Sequence, residues 1–386
     1  MITYPATAGG PSRRSRVRRN LQQKIWRWAT RPSNHYTWLY LLLLGILASL
    51  AAYGMDKGIE LILFVRNQIT SACMNLHVTL AFLFYVLSAP ALTCLACYVT
   101  KRLGPAAAGS GIPEMKAVLS GVSVHNLLTG KTFVAKVVGL CLALGAGLPI
   151  GKEGPFIHTS SCIANLLMSR PLFKNIQKNT EQKMQMYTAA CVAGVACNFG
   201  APVGGVLFGI EVTAMYYNMR NYWKCFYAAI LGGLVFRTLL NQVGDHPHAL
   251  LYVKFPALGS VDVLEILVFA VFGAGMGITS YWFIRLNKNV ALWRMRHSKW
   301  SFFKTPYPQS IVVALAVSIF CFPYPGTGTA LSEAPGAEII SLLSSRDLDP
   351  ARWSVSPILY LCFFTLAKFL LTAVSILMPH AAGVFA

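Results

Sequence analysis

Apolar residues in this chain come in runs of two lengths. The long runs cover 37–53, 76–100, 133–150, 222–240, 261–286 and 358–378. A helix of ~20 apolar residues crosses the roughly 30 Å hydrocarbon layer of a bilayer, so each of these predicts a membrane span. The short runs cover 106–119, 155–168, 184–199, 202–217 and 309–322, are bounded by Gly or Pro, and would cross only part of the way. Short, interrupted apolar segments predict half-helices whose ends meet near the midplane around a bound solute. Such irregular backbone is tolerated only where it is buried in protein or lines a wet cavity.

Composition agrees with that pattern. Of 386 residues, 55% are apolar and 12% charged, against about 25% charged in soluble domains. The expected fold class is therefore an all-α polytopic membrane protein. The formal net charge is +20, and Arg13, Arg14, Arg16, Arg18, Arg19, Lys24, Arg27 and Arg31 precede the first span. Excess Lys and Arg mark the cytosolic side, so segment 1–35 is expected to be cytosolic, disordered at its start, and in contact with anionic lipid. A nucleic-acid patch is set aside, because a span begins within about ten residues of the basic run. No n-region with a following apolar h-region is present, so no cleavable signal peptide is expected.

The ten cysteines and eight histidines carry little. Cys94 and Cys97 form a C-x-x-C inside an apolar run with no second pair, which predicts buried thiols. His125, His158, His246 and His248 make no metal-ligand spacing, so no metal is expected. Lys152 in GKEGP and Lys131 in LTGKTF resemble the end of a phosphate-binding loop, but the required earlier glycine is replaced by Ala146 and His125. Nothing else points to an enzyme or a cofactor.

Four stretches interrupt the apolar pattern in an informative way. In GKEGP, residues 151–155, Pro155 predicts the first turn of a helix, placing Glu153 at or just before its N-terminus. A carboxylate there, or an anion replacing it, is stabilised by free amides and the helix dipole. The two readings are an ion-pathway residue and a capping glutamate on a surface loop. In GSGIPEMKAVLSG, residues 109–121, two glycines around Ser110 allow a tight turn that leaves its hydroxyl facing a small volume. A neutral donor suits a dehydrated anion that must later leave; the other reading is a glycine-rich packing turn. In NFGAPVGGVLFGIEVTAMYY, residues 198–217, glycines permit close helix packing. There Glu211 is either a buried acid in a proton path or a structural carboxylate paired with Arg220 or Lys224. The last stretch, MPHAAGVFA, ends the sequence at Ala386.

GSGIPE, GKEGPF and GVFA, in this order and between apolar segments, resemble the three anion-site signatures of the CLC family of chloride channels and chloride/proton exchangers. The likeness covers about residues 30–386. LPIGKEGPFIH and FGIEVTAMYYNMRNYWK resemble the animal plasma-membrane channel branch in particular. The resemblance implies two inverted repeats of tilted and broken helices, the first at 36–242 and an incomplete second at 243–386. It implies a chloride site made by Ser110 with Gly111 and Ile112, by amides shaped by Gly151, Lys152 and Gly154, and by the amides of Val384 and Phe385. Glu153 would be the gate, its carboxylate occupying an anion position until it swings away or is protonated. Exchangers of the family carry a second glutamate where this chain has Val212. An aliphatic side chain carries no proton, so the resemblance implies passive conduction; exchange is the alternative.

The implied partners are chloride as permeant ion, membrane lipid, and a second subunit of the same or a full-length kind. The family pattern continues past GVFA, with a proline, further helices and a tyrosine at the central chloride. The expectation is therefore that this chain inserts in the membrane but conducts nothing alone, with a non-conducting regulatory subunit as the other reading. Stripping chloride of water costs on the order of tens of kcal/mol in a dry medium by a Born estimate. One helix end returns ~2 kcal/mol at best, so several donors must act together.

Overall fold

The structure is a computed structural model that describes residues 32–213, 219–242, 263–297, 305–323 and 357–383. These residues are helical throughout, joined by turns and two isolated β-bridges. Helix α1 spans Pro32–Leu76, α2 Val78–Leu103, α3 Ile112–Leu119, α4 Gly130–Gly145, α5 Glu153–Met168, α6 Lys174–Lys178 and α7 Thr180–Phe199. They are followed by α8 at Pro202–Phe208, α9 at Tyr222–Gln242, α10 at Val263–Arg296, α11 at Pro306–Phe320 and α12 at Pro357–Ser375. Among the described residues, α1, α2, α9 and α10 are long and apolar enough to cross a membrane.

Helix α1 departs most from expectation. Its span was predicted to end at 53, yet the helix runs 45 residues, about 68 Å at 1.5 Å per residue. The charges beyond Tyr53 do not break it, because each finds a partner. Lys57 pairs with Glu60 at 2.8 Å along the helix, Asp56 pairs with Lys152, and Arg66 is bonded to buried acceptors. The run 133–150 was predicted to be a full span, but α4 has 16 residues. Thr129 caps its start by accepting from the Thr132 amide, and Gly147, at φ +80°, turns the chain out of the helix just past its end. In the same way 358–378 gives α12, which stops at Ser375.

Of the short runs, 106–119 and the described part of 202–217 form broken helices, whereas 184–199 belongs to α7, an unbroken helix of 20 residues. Gly111 is the N-cap of α3 at φ +86°, and α8 passes into a single π turn at Gly209–Thr213. The interior is built around α5 and α7, which are buried on almost every side. Their facing residues are small. Ser160 donates to Ala190 O at 2.8 Å, and a Cβ on Gly194 would stand 2.5 Å from Ser160 Oγ, so the two backbones touch there. Tyr40 of α1 ties the first helix to this core by donating to Ala164 O at 2.9 Å.

Candidate functional site

The three signature stretches, far apart in sequence, come together. Gly109 N donates to His380 O at 2.9 Å and Ala382 N donates back to Gly109 O at 3.4 Å. Gly151 N donates to Gly383 O at 2.8 Å and Gly383 N returns to Gly151 O at 3.0 Å. Residues 381–383 thus pair with the Ser110 loop on one side and the Glu153 loop on the other. Gly383 must be glycine for this: a Cβ would lie 2.8 Å from Pro155 Cδ and 2.9 Å from Gly151 O.

Two helix starts converge at the same place. A Cβ on Gly154, in the first turn of α5, would stand 2.5 Å from Ser110 Oγ and 3.5 Å from Ile112 Cδ1 at the start of α3. Ser110 is half-buried and makes no hydrogen bond to another described residue. Free amides and positive dipole ends therefore gather around a hydroxyl with a donor to spare, a chemistry suited to a small anion.

Glu153 opens α5, with Lys152 as the N-cap residue, so Pro155 is the third helical position and not the first. Its missing N–H still falls among the amides a helix start leaves free. Glu153 is 9% exposed and its Oε2 is buried without a partner. Buried polar atoms are nearly always bonded, so an orphaned carboxylate oxygen at a helix start calls for a functional explanation. The neighbouring Lys152 Nζ lies 2.5 Å from Asp56 Oδ1 of α1, an ion pair that joins the Glu153 loop to the first helix.

Behind the Ser110 loop is a buried cation that the sequence reading did not single out. Lys136 of α4 is 1% exposed; its Nζ donates to Gly109 O at 3.0 Å and to His158 Nδ1 at 3.1 Å. An ammonium only donates, so Nδ1 is the acceptor and His158 carries its proton on Nε2, which donates to Leu127 O at 3.0 Å. A Cβ on Gly111 would stand 2.5 Å from His158 Cβ, so the loop rests on the histidine. A lysine in the middle of an apolar run is the same signal that drew attention to GKEGP, and it was available at Lys136. No comparable signal linked Asp56 to Lys152.

The remaining candidates are placed as follows. Val212 is half-buried in the π turn, and Glu211 beside it is exposed, not buried. Lys224 donates to Gln185 Oε1 at 2.6 Å, not to Glu211, and the side chain of Arg220 lies outside the described residues, as do Val384 and Phe385. Cys94 and Cys97 are free thiols, and no metal-binding cluster occurs among the described residues.

A helical, multi-pass membrane protein with broken helices meeting at an anion-suited loop cluster defines a narrow class. The family description "Voltage gated chloride channel" matches residues 91–386. The chain is 36% identical to rabbit (Oryctolagus cuniculus) chloride channel protein 2 over 373 residues, covering 90% of this chain and 41% of that one. It is 32% identical to chloride channel protein F of Dictyostelium discoideum over 401 residues, covering 100% of this chain and 48% of that one. A eukaryotic CLC transporter of known crystal structure superposes with a TM-score of 0.75 at 29% identity, over 91% of this chain and 57% of that one. A slow cyanobacterial Cl-/H+ antiporter shares the fold, with a TM-score of 0.71 at 21% identity over 88% and 73%. The chain belongs to the voltage-gated chloride channel, or CLC, family. It spans less than half the length of these two curated relatives.

Proposed function

We propose that this chain forms the chloride pathway of a voltage-gated channel subunit, with Glu153 as its gate. The observation that carries the reading is the Glu153 carboxylate, buried at the start of α5 with Oε2 unpartnered, one residue before the Gly154 against which the Ser110 hydroxyl packs. A carboxylate held there competes for the volume that an anion needs. Ser110, Gly111 and Ile112, together with Gly151, Lys152, Gly154, Val384 and Phe385, supply hydroxyl, amides and turn geometry for chloride. No full positive charge touches the ion, which keeps binding weak enough for release.

Residues 36–242 and 243–386 correspond in this reading to two repeats in the plasma membrane, with segment 1–35 cytosolic and the subunit paired with a like partner. Chloride/proton exchange is the second reading; Val212 weighs against it, because the position lacks a proton-carrying group. The test is whole-cell recording from the 386 residues joined to the downstream part of the rabbit relative. Glu153→Gln is expected to leave an anion conductance that has lost most of its voltage and acid dependence. Unchanged gating in that variant would reduce Glu153 to a helix-start acid.

A further inference from the structure

Arg66 stands where α1 was expected to have left the membrane, and it is 4% exposed. Its Nε donates to Ser88 Oγ at 3.1 Å, Nη1 to Ala146 O at 2.9 Å, and Nη2 to Tyr85 O at 3.2 Å. The guanidinium carbon lies 3.9 Å from the centroid of the Tyr85 ring. Every one of these acceptors is neutral. A buried cation with no opposite charge bonded to it is costly, so an arginine kept there needs a task that neutral side chains cannot do.

Two of those acceptors show the task. Ala146 is the C-cap of α4, so the arginine takes an otherwise free carbonyl at a negative dipole end. Gly147 follows at φ +80°, and a Cβ there would stand 2.8 Å from Nη1, so the guanidinium lies directly against the turn. That turn is also where Ile150 N bonds Leu148 O at 2.9 Å, and the next residue is Gly151, already paired to Gly383. Glu153 follows two residues later. On its other side Tyr85 donates to Cys321 O at 3.2 Å, the C-cap of α11, and Ser88 donates to Tyr85 O at 3.0 Å, which leaves its lone pair facing Arg66.

We infer that Arg66 is a positioning residue for the gate: its planar fork fixes the turn from Ala146 to Ile150 against α2, and through Tyr85 against α11, and so sets where Glu153 is held. The inference rests on the reading of Glu153 as gate, and its first test is independent of conduction. A lysine in the same place keeps the charge but has no fixed fork to hold three acceptors at once.

Backbone hydrogen exchange is measured on the 386-residue chain in lipid nanodiscs, comparing a peptide over 146–153 with one over 186–198 in α7. Arg66→Gln is expected to speed exchange in 146–153 by at least about tenfold and to leave α7 unchanged, because only the local opening free energy falls. Arg66→Lys is expected to fall between the two. Equal acceleration in both peptides would make Arg66 a general packing residue, unchanged exchange in 146–153 would remove any role in the turn, and full rescue by lysine would assign the effect to charge alone; each overturns the inference. In single-channel patch recordings from the same fusion, Arg66→Gln should shift the voltage of half-activation with unitary current unchanged, whereas altered unitary current with unmoved gating would contradict a gate-positioning role.

Discussion

Lys136 Nζ stands 3.1 Å from His158 Nδ1, and the histidine accepts the bond in full burial while its other nitrogen is engaged by Leu127 O. The ammonium that supports the Ser110 loop is therefore held by one carbonyl and one imidazole. His158→Phe removes the second acceptor and leaves a buried donor unpaired, which costs about 1–3 kcal/mol. Thermal unfolding of the detergent-purified protein checks this, and His158→Gln, whose amide oxygen can accept, should lose less. Equal stability of all three proteins would mean that the pair does not hold the loop.

Gly154 leaves no room for a side chain next to Ser110 Oγ, the distance to a built Cβ being 2.5 Å. Gly154→Ala should therefore push the hydroxyl out of place. Loss of one hydrogen bond to an anion costs about 1.5–3 kcal/mol, or roughly ten- to a hundredfold in chloride affinity. Calorimetric chloride titration measures it. Ser110→Gly added to Gly154→Ala should relieve the clash without restoring affinity; recovered affinity in the double variant would show that the hydroxyl does not bind chloride.

Much of this arrangement is legible in the sequence, for a physical reason. Glycines at positive φ, a proline in the first helical turn and a charge inside an apolar run are local features, so the broken helices and the loops at Ser110 and Glu153 could be read directly. The meeting of Gly151 with Gly383 follows only from the resemblance to a family, because no local signal links two glycines so far apart. The length of α1 was hidden for a different reason. Asp56 and Arg66 look like the end of a span until their partners are known, and Lys152, Ala146 and Tyr85 lie on other elements. Between the two readings of Glu211 the sequence could not decide, because apolar neighbours do not fix which face of a broken helix turns inward; the side chain is exposed, and Lys224 is bonded to Gln185 instead.

Val212 lies half-buried in the π turn and has no group that can carry a proton. Currents through the 386 residues joined to the downstream part of the rabbit relative should reverse at the chloride equilibrium potential, and an imposed pH gradient should not move that reversal. Patch-clamp recording under a pH gradient checks this. A stoichiometric proton flux would replace the channel reading with exchange.

The central claim is that the Glu153 carboxylate and chloride compete for one volume beside Ser110. The direct measurement is chloride binding to the purified chain, wild type and Glu153→Gln, titrated by calorimetry from a chloride-free buffer. Removing the tethered negative charge should raise chloride affinity by at least about tenfold, equivalent to ~1.4 kcal/mol. Equal affinity in the two proteins, or no binding in either, would contradict the account.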